Sequence, residues 1–347
     1  MVKYVFKRLG YMLLVLLILS FLMFLIYNMI PYDRAATEAR AVIKNSKNLG
    51  YTFDELYDHY SKLYGTDGNI VQRYLRWLGA YPYTPVNEGD PVRFNGLLQG
   101  NLGQSSVYKK PVVDVIKAPM ENTIFINIFA TIAALAICIP LGIFSAVHKG
   151  SKRDTAIQVG TVIGYSLPTF IVAILFIWIF VSILGIFPAG GMQSVGKDFA
   201  SEWAKFWDKM YHLTLPLIVM TFCSLGGLTR YVRAAMIEAL SMDCVRTARA
   251  KGVKEKVVIY SHAWRNALLP VITLIIGWFL SIFAGSLMIE SIFGLSGTGK
   301  LLIDSLTNKD YELVLALQMF YCTITLLGNL ITDIVYGLVD PRIRVNK

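Results

Sequence analysis

Charged side chains are scarce in this chain of 347 residues, of which Asp, Glu, Lys and Arg make up 16%. Soluble globular domains carry about 25% charged residues. Hydrophobic residues reach 55% of the chain, and the mean hydropathy is +0.53. So few charges cannot cover a water-facing surface. The composition excludes an ordinary soluble domain and predicts an integral membrane protein.

Cysteine and histidine are also rare, with four of each. The cysteines form neither a paired framework nor a metal-ligand spacing, and we interpret them as small core residues. They are Cys138, Cys223, Cys244 and Cys322. The histidines are scattered, and the HExxH, CxxC and GxSxG patterns do not occur. Hydrolytic and redox chemistry therefore find no support in the sequence.

Six apolar stretches are long enough to cross a membrane, which requires about 20 apolar residues in a helix. They run approximately from Leu9 to Ile30, Asn122 to Val147, Ala156 to Phe187, Tyr211 to Thr229, Ala267 to Ile289 and Leu313 to Val339. The sequence therefore predicts an all-α protein with six transmembrane helices. The first stretch is too long for a signal-peptide core and is expected to remain as an anchor. The third is long enough to contain a kink at Pro168.

The net charge of +10 could indicate a nucleic-acid partner, but in a membrane protein basic residues first fix the orientation. Lys and Arg divide 17 to 16 between the two sides of the predicted spans, and the 17 lie on the side of both termini. Only 5 acidic residues accompany those 17, whereas 17 accompany the other group. We therefore expect both termini to be cytoplasmic, and nucleic-acid binding is not needed to explain the charge.

Residues 32–118 form a polar insert that is too long for a connector and is expected outside the cell. Apolar residues recur at helical spacing in two parts of it, which are joined near Gly65 to Gly68. The insert is thus predicted to be partly helical, either as a cap or as a contact for a substrate-delivery protein. The expected organisation is an N-terminal helix (1–31), the insert (32–118), a membrane-spanning core of five helices (119–340) and a cytoplasmic tail (341–347).

Two features suggest chemistry that the rest of the sequence does not support. Gly294 to Lys300 matches most of a phosphate-binding P-loop, but Leu301 stands where Ser or Thr should hold magnesium, and no hydrophobic strand precedes the glycines. We interpret it as a glycine-rich turn. Asp333 is the one ionisable residue deep in a predicted span. A structural role near Asn329 is favoured over a proton or ion relay.

The most informative segment lies between the fourth and fifth spans, over residues 230–270. Val245 to Lys251 are good helix formers, Ser241 or Asp243 can cap the helix, and Gly252 can end it. Basic residues outnumber acidic ones here, 8 to 3. The pattern predicts a short, rigid helix that is presented to the cytosol.

Glu238-Ala239, Gly252 and Leu269-Pro270 resemble the EAA loop of binding-protein-dependent ABC importers. Residues 245–252 are similar to the peptide-permease version of that loop. Leu240 and Cys244 depart from it, since many such loops have Ala and an aromatic residue at these places. The resemblance extends along the chain to OppB/DppB-type permease subunits. It includes the N-terminal segment through Pro31 and residues 100–105, 290–294, 308–311 and 340–344.

This resemblance implies a type I ABC importer permease fold and coupling through the short cytoplasmic helix. The residues expected to couple to an ATPase are Glu238, Ala239, Asp243, Arg246, Thr247, Ala248, Arg249, Lys251 and Gly252. It also implies an OppC-like second permease, two OppD/OppF-like cytosolic ATPases, an extracytoplasmic peptide-binding protein and a peptide substrate. The chain itself is not expected to be an enzyme or to hold a cofactor or metal, since ATP and magnesium would bind to the partner subunits.

Two alternatives stay open at this point. Related permeases carry nickel or other small solutes, so that the family resemblance does not fix the cargo. An ion-coupled secondary carrier that uses Asp333 is the other alternative, and uptake that follows an ion gradient would distinguish it. Polar span residues are candidates for the pathway, although such residues more often serve helix packing. They are Ser166, Thr169, Ser281, Ser286 and Thr325.

Overall fold

The structure is a computed structural model that describes residues 2–45, 50–87 and 89–339, without the side chains of residues 2–4 and 335–339. The predicted tail at 341–347 and the 340–344 segment lie outside these residues. The helices are α1 (Val2–Met29), α2 (Arg34–Asn45), α3 (Phe53–Tyr64), α4 (Ile70–Leu78), α5 (Val112–Val147), α6 (Lys152–Ser166), α7 (Thr169–Ile177), α8 (Glu202–Ser241), α9 (Asp243–Ala250), α10 (Glu255–Val257), α11 (Trp264–Leu280), α12 (Leu287–Ile292), α13 (Thr298–Thr307) and α14 (Tyr311–Val339).

Short irregular helices extend several of these elements. A 3₁₀ turn lies at Leu97–Gln99, π-helical turns follow α7 at Trp178–Ile183 and α10 at Val258–Ala263, and a 3₁₀ turn follows α11 at Ser281–Phe283. Among the described residues, β-structure is limited to two isolated bridges. The predicted all-α class is confirmed.

Five stretches of the described chain are long and apolar enough to cross a membrane: α1, α5, α8, the α10–α11 stretch and α14. The sixth is the pair formed by α6 and α7, which bend by 101° at their junction. Leu167 takes an extended conformation before Pro168, as residues that precede proline commonly do, and Pro168 then begins a new helix. The chain therefore has a break at Pro168 and not the kink that the sequence predicts.

The fifth span also ends earlier than predicted, at Phe283 and not at Ile289. Ala284 is extended, and the hydroxyl of Ser286 accepts a bond from the Ile289 N–H to begin the separate helix α12. The prediction was wrong because hydrophobicity alone does not show that one helix ends and a second, capped helix begins within the same apolar run.

The chain divides into two compact units. One unit contains Phe6–Lys117 and Asp304–Thr323. Its core joins α1, α4 and α14 through Phe24, Tyr74 and Leu315, and the Tyr74 hydroxyl lies 2.7 Å from that of Ser20. Asp310 is buried and accepts bonds from the Ser105 hydroxyl and the Ser106 N–H. The 100–105 and 308–311 segments thus meet within this unit.

The other unit contains Ala118–Ile303, and α8 contacts α6, α7 and α11 within it. Small residues allow close helix contacts, as is common between membrane helices. A Cβ on Gly142 of α5 would lie 2.8 Å from the Thr229 carbonyl oxygen. A Cβ on Gly226 of α8 would lie 2.7 Å from the Thr161 carbonyl oxygen. The backbones of α5 and α6 therefore approach α8 too closely for larger residues at these positions.

Candidate functional site: the α8–α10 segment

The segment begins at the end of α8, a helix of 40 residues. Ser201 begins this helix by accepting a bond from the Ala204 N–H. Met242 ends it, because its extended backbone (φ −65°, ψ 147°) turns the chain before α9 starts. In the last turn, Glu238 is exposed and Ala239 is buried. Helix α8 thus continues without a break from the membrane-spanning stretch to Ser241, and the chain turns just before α9.

Helix α9 lies on the protein through one apolar face. Val245 and Ala248 are three residues apart and therefore share a face, and they are 0% and 6% exposed. They belong to a buried cluster with Met236, Ala239 and Val258 from the flanking elements. The opposite side is exposed and carries Asp243, Arg246, Thr247 and Arg249. Helix α9 is therefore held from beneath, while its polar side stays accessible.

Gly252 ends α9, as predicted from the sequence. Its φ is +72°, a left-handed conformation that glycine adopts without a steric penalty. The Gly252 N–H donates to the Arg249 carbonyl at 3.0 Å, and the Val253 N–H donates to the Ala248 carbonyl at 3.2 Å. These two bonds form a Schellman motif that satisfies two of the free carbonyls at the helix end.

The beginning of α9 differs from the prediction, since neither Ser241 nor Asp243 caps it. Met242 occupies the cap position without a side-chain bond. The Ser241 hydroxyl donates instead to the Glu238 carbonyl at 2.7 Å. Asp243 is the first helical residue, where its negative charge is favourable at the positive end of the helix dipole.

Arg249 connects α9 to α10 through a bidentate ion pair with Glu255. Its Nη2 lies 2.7 Å from Oε1, and its Nε lies 3.2 Å from Oε2. The hydrogen bond to Glu255 raises the pKa of Arg249. The sequence reasoning missed this partner, because a separation of six residues across a turn has no helical periodicity. Arg246 has a looser contact with Asp243, at 3.7 Å, and both side chains are exposed.

A buried ion pair between Asp154 and Arg233 fixes α6 to α8. Asp154 is 1% exposed, and Arg233 binds both of its oxygens at 2.8 and 2.7 Å. The Ser145 hydroxyl and the Gly150 N–H also donate to Asp154, at 2.5 and 2.9 Å. The carboxylate thus joins the end of α5, the following turn, α6 and α8. No sequence signal identifies this pair, since its members are 79 positions apart.

The predicted coupling residues fall into two groups. Seven are exposed: Glu238, Asp243, Arg246, Thr247, Arg249, Lys251 and Gly252. Ala239 and Ala248 are buried, where they hold α9 against the protein and leave no surface for a partner. The structure therefore brings all nine predicted residues into one segment but leaves seven of them accessible.

A small polar cavity of about 150 Å³ lies in the same unit, between α5, α8 and α11. Asn127, Thr131, Ser224 and Ser281 contribute its polar lining. The Asn127 amide also donates to the Ile282 and Ala284 carbonyls, both at 2.9 Å, and so holds the point where the fifth span ends. Of the polar span residues named from the sequence, Ser281 lines this cavity.

The P-loop-like turn is filled by a side chain of the protein itself. Glu290 is 2% exposed, and its carboxylate accepts bonds from the Gly299 and Lys300 N–H groups at 2.7 and 3.0 Å. The Thr123 hydroxyl donates to the same carboxylate at 3.1 Å. Burial raises the pKa of Glu290, and the donated bonds oppose that effect. The amides that would face a phosphate in a P-loop here hold a carboxylate, and Leu301 is buried.

Asp333 lies on α14, within the membrane-spanning stretch Tyr311–Ile334, and it is partly exposed. It is separate from the α8–α10 segment in sequence.

Comparison with known proteins adds a family match over most of the chain. Residues 138–345 match the family described as "Binding-protein-dependent transport system inner membrane component". The α8–α10 segment lies inside this range. The match therefore includes the helix whose apolar face is buried and whose polar face is exposed.

Individual relatives align over most of their own length. The oligopeptide transport system permease protein AppB of Bacillus subtilis is 37% identical over 82% of this chain and 84% of its own. A putative peptide permease protein of Brucella ovis is 33% identical over 99% and 100%. The dipeptide transport system permease protein DppB of Lactococcus lactis is 30% identical over 99% and 100%.

One solved structure, titled as an amino acid ABC transporter with histidines, is 14% identical and has a TM-score of 0.46 over 65% of this chain and 94% of its own.

Proposed function

Because the chain belongs to the family of binding-protein-dependent transport system inner membrane components, we propose that it is the transmembrane permease subunit of an ATP-driven importer of oligopeptides or dipeptides. It forms half of the translocation pathway in a bacterial cell membrane. The relatives named as peptide permeases support this cargo over nickel or another small solute.

The observation that carries the proposal is the exposed polar face of α9. A permease that takes its energy from a separate ATPase needs a stiff projection that the ATPase can move. Helix α9 fits this requirement, because Val245 and Ala248 fix it beneath and the Gly252 motif closes its end. We assign ATPase contact to the seven exposed residues of the segment. The two buried alanines act by positioning.

The partners follow from the same proposal. A second permease subunit of the OppC type completes the pathway, and two OppD/OppF-like ATPases bind ATP and magnesium. Both termini are cytoplasmic, and an extracytoplasmic peptide-binding protein delivers the substrate on the side of the 32–118 insert. Closure of the ATPases moves the coupling helices and switches the spans between two packings.

The test is reconstitution of the complete complex in vesicles, with peptide uptake and ATP hydrolysis measured together. In Arg246→Ala, we expect both activities to fall while the subunit still inserts and assembles, because the side chain is exposed and has only a loose contact with Asp243. Arg265→Ala is a matched control, since Arg265 is also exposed but lies at the start of α11, outside α9.

Two outcomes would contradict the proposal. One is full ATP-coupled peptide uptake by a triple variant that combines Arg246→Ala, Arg249→Ala and Lys251→Ala. The other is solute accumulation that the chain alone drives with an ion gradient. This result would indicate an ion-coupled carrier and make Asp333 a candidate for the ion site.

A further inference from the structure

The unit that contains the insert encloses a second and much larger cavity, of about 960 Å³. Its lining comes from residues 24–106 and 309–315, so that the whole cavity lies within this one unit. Cavities that bind small molecules measure about 300–1,000 Å³. This one is therefore large enough for a peptide of a few residues.

The lining carries an excess of positive charge. Among the residues that the structure describes, seven Lys or Arg residues line the cavity, against three Asp or Glu residues. Three of these cations are neutralised by the protein: Arg34 pairs with Glu312, Lys62 with Asp58 at 2.6 Å, and Arg76 with Asp67 at 2.6 Å. The acidic group Asp33 is also engaged, since the Tyr57 hydroxyl donates to it at 2.9 Å. A positive surplus is left for a ligand.

Four cations of the cavity wall have no ion pair among the described residues, and Arg73 alone of the four is not exposed. They are Arg40, Arg73, Arg93 and Lys309. The Nε of Arg73 is buried and has no hydrogen-bond partner among the described residues; the Nε of Arg34 is in the same state, but Arg34 already pairs with Glu312. A buried guanidinium nitrogen without a partner costs free energy, because it has lost its bonds to water. A carboxylate is the group that best matches a guanidinium, since two parallel N–H···O bonds can form.

The rest of the wall suits a peptide of varied sequence. Aromatic rings from Tyr27, Tyr64 and Tyr83 offer apolar faces, and Asn95 and Asn101 offer amide groups to a backbone. The Arg34 guanidinium lies 4.1 Å from the centre of the Tyr64 ring, which holds that ring in place. None of these groups selects one particular side chain.

We infer that this cavity binds a short peptide through its terminal carboxylate, with Arg73 as the residue that contacts the carboxylate. The choice of a peptide as ligand rests on the proposed function, whereas the preference for a carboxylate rests on the cavity alone. The site lies between the insert, the end of α1 and the start of α14.

The experiment measures binding of trialanine and of trialanine amide to the purified full-length chain in lipid nanodiscs, by titration calorimetry. We expect trialanine to bind and its amide to bind roughly tenfold more weakly or worse, because the charge-assisted bonds are lost. Arg73→Gln should weaken trialanine binding by a similar factor and abolish the difference between the two peptides. Arg73→Lys should retain part of that difference.

Lys110→Gln is the matched control, since Lys110 is exposed in the same insert but does not line the cavity. Thermal unfolding of each variant shows whether it is folded. Equal binding of both peptides, no detectable binding of trialanine, or unchanged binding by folded Arg73→Gln would overturn the inference.

Uptake in the complete complex separates the two proposals. Coupled peptide uptake without trialanine binding to the single chain would refute the cavity and leave the proposed function intact. Carboxylate-dependent binding without any ATP-driven peptide uptake would refute the proposed function and leave the cavity site in place.

Discussion

Replacing Gly252 by valine tests whether the closed end of α9 matters for coupling. At φ +72° a valine is strained, and nothing lies within 4 Å of the position of an added Cβ. The effect therefore comes from the backbone conformation and not from a clash. Non-glycine residues in such conformations cost on the order of 1–3 kcal/mol, most for β-branched side chains.

A cost of about 2 kcal/mol corresponds to a roughly 30-fold shift between the closed and the opened last turn, since each 1.4 kcal/mol is a factor of ten. Hydrogen exchange measures this shift directly. The amides of Gly252 and Val253 donate the two closing bonds. We expect them to exchange about 30-fold faster in Gly252→Val, whereas Gly252→Asn should change little, because Asn tolerates the left-handed region.

The functional assay is peptide-stimulated ATP hydrolysis by the reconstituted complex. Stimulation should decrease in the order Gly, Asn, Ala, Val at position 252, with equal insertion of all four proteins. Gly185→Val is the control, since Gly185 also has a positive φ (+63°) and open space around it but lies far from α9 in the chain. Unimpaired coupling by Gly252→Val, despite the faster exchange, would show that the order of this turn is irrelevant.

Three further predictions concern charged groups that stabilise the unit containing Ala118–Ile303. Asp154→Asn should lower the free energy of unfolding by about 3 kcal/mol, because Arg233 loses its buried partner; thermal unfolding measures this, and a loss no larger than that of an exposed substitution would contradict it. Glu255→Gln should change stability little and in a salt-dependent manner, since its contact with Arg249 is exposed; unfolding at low and high salt tests it. Because burial raises the pKa of Glu290, its contribution to stability falls as pH rises from the ordinary 4.5 through the raised pKa. Glu290→Gln should flatten that decline, and an unchanged profile would count against it.

Periodicity and composition were sufficient for the features that depend on local sequence. The apolar runs predicted the spans, and Gly252 predicted the end of α9, because a left-handed residue at a helix end strongly favours glycine. The same reasoning failed at Pro168 and at Ser286. In both cases a helix restarts inside an apolar run, and hydrophobicity does not distinguish a restart from a continuous span.

Contacts between distant residues could not be predicted from one sequence. Three such features depend on how the helices pack. They are the ion pair between Asp154 and Arg233, the hydrogen bond from the Gly299 N–H to the Glu290 carboxylate, and the unsatisfied Nε of Arg73. The P-loop likeness shows the limit most clearly. The turn needs a glycine at position 297 for a different reason, because a Cβ there would lie 2.4 Å from the Glu290 carboxylate.

The length of α8 has a mechanical consequence. Its 40 residues extend about 60 Å at 1.5 Å per residue. Helix α9 packs against its last turns, and the Asp154–Arg233 pair joins α6 to it. The cytoplasmic end that we propose for coupling is therefore tied to two other helices, and on that proposal we expect a displacement of α9 to carry the end of α8 and α6 with it.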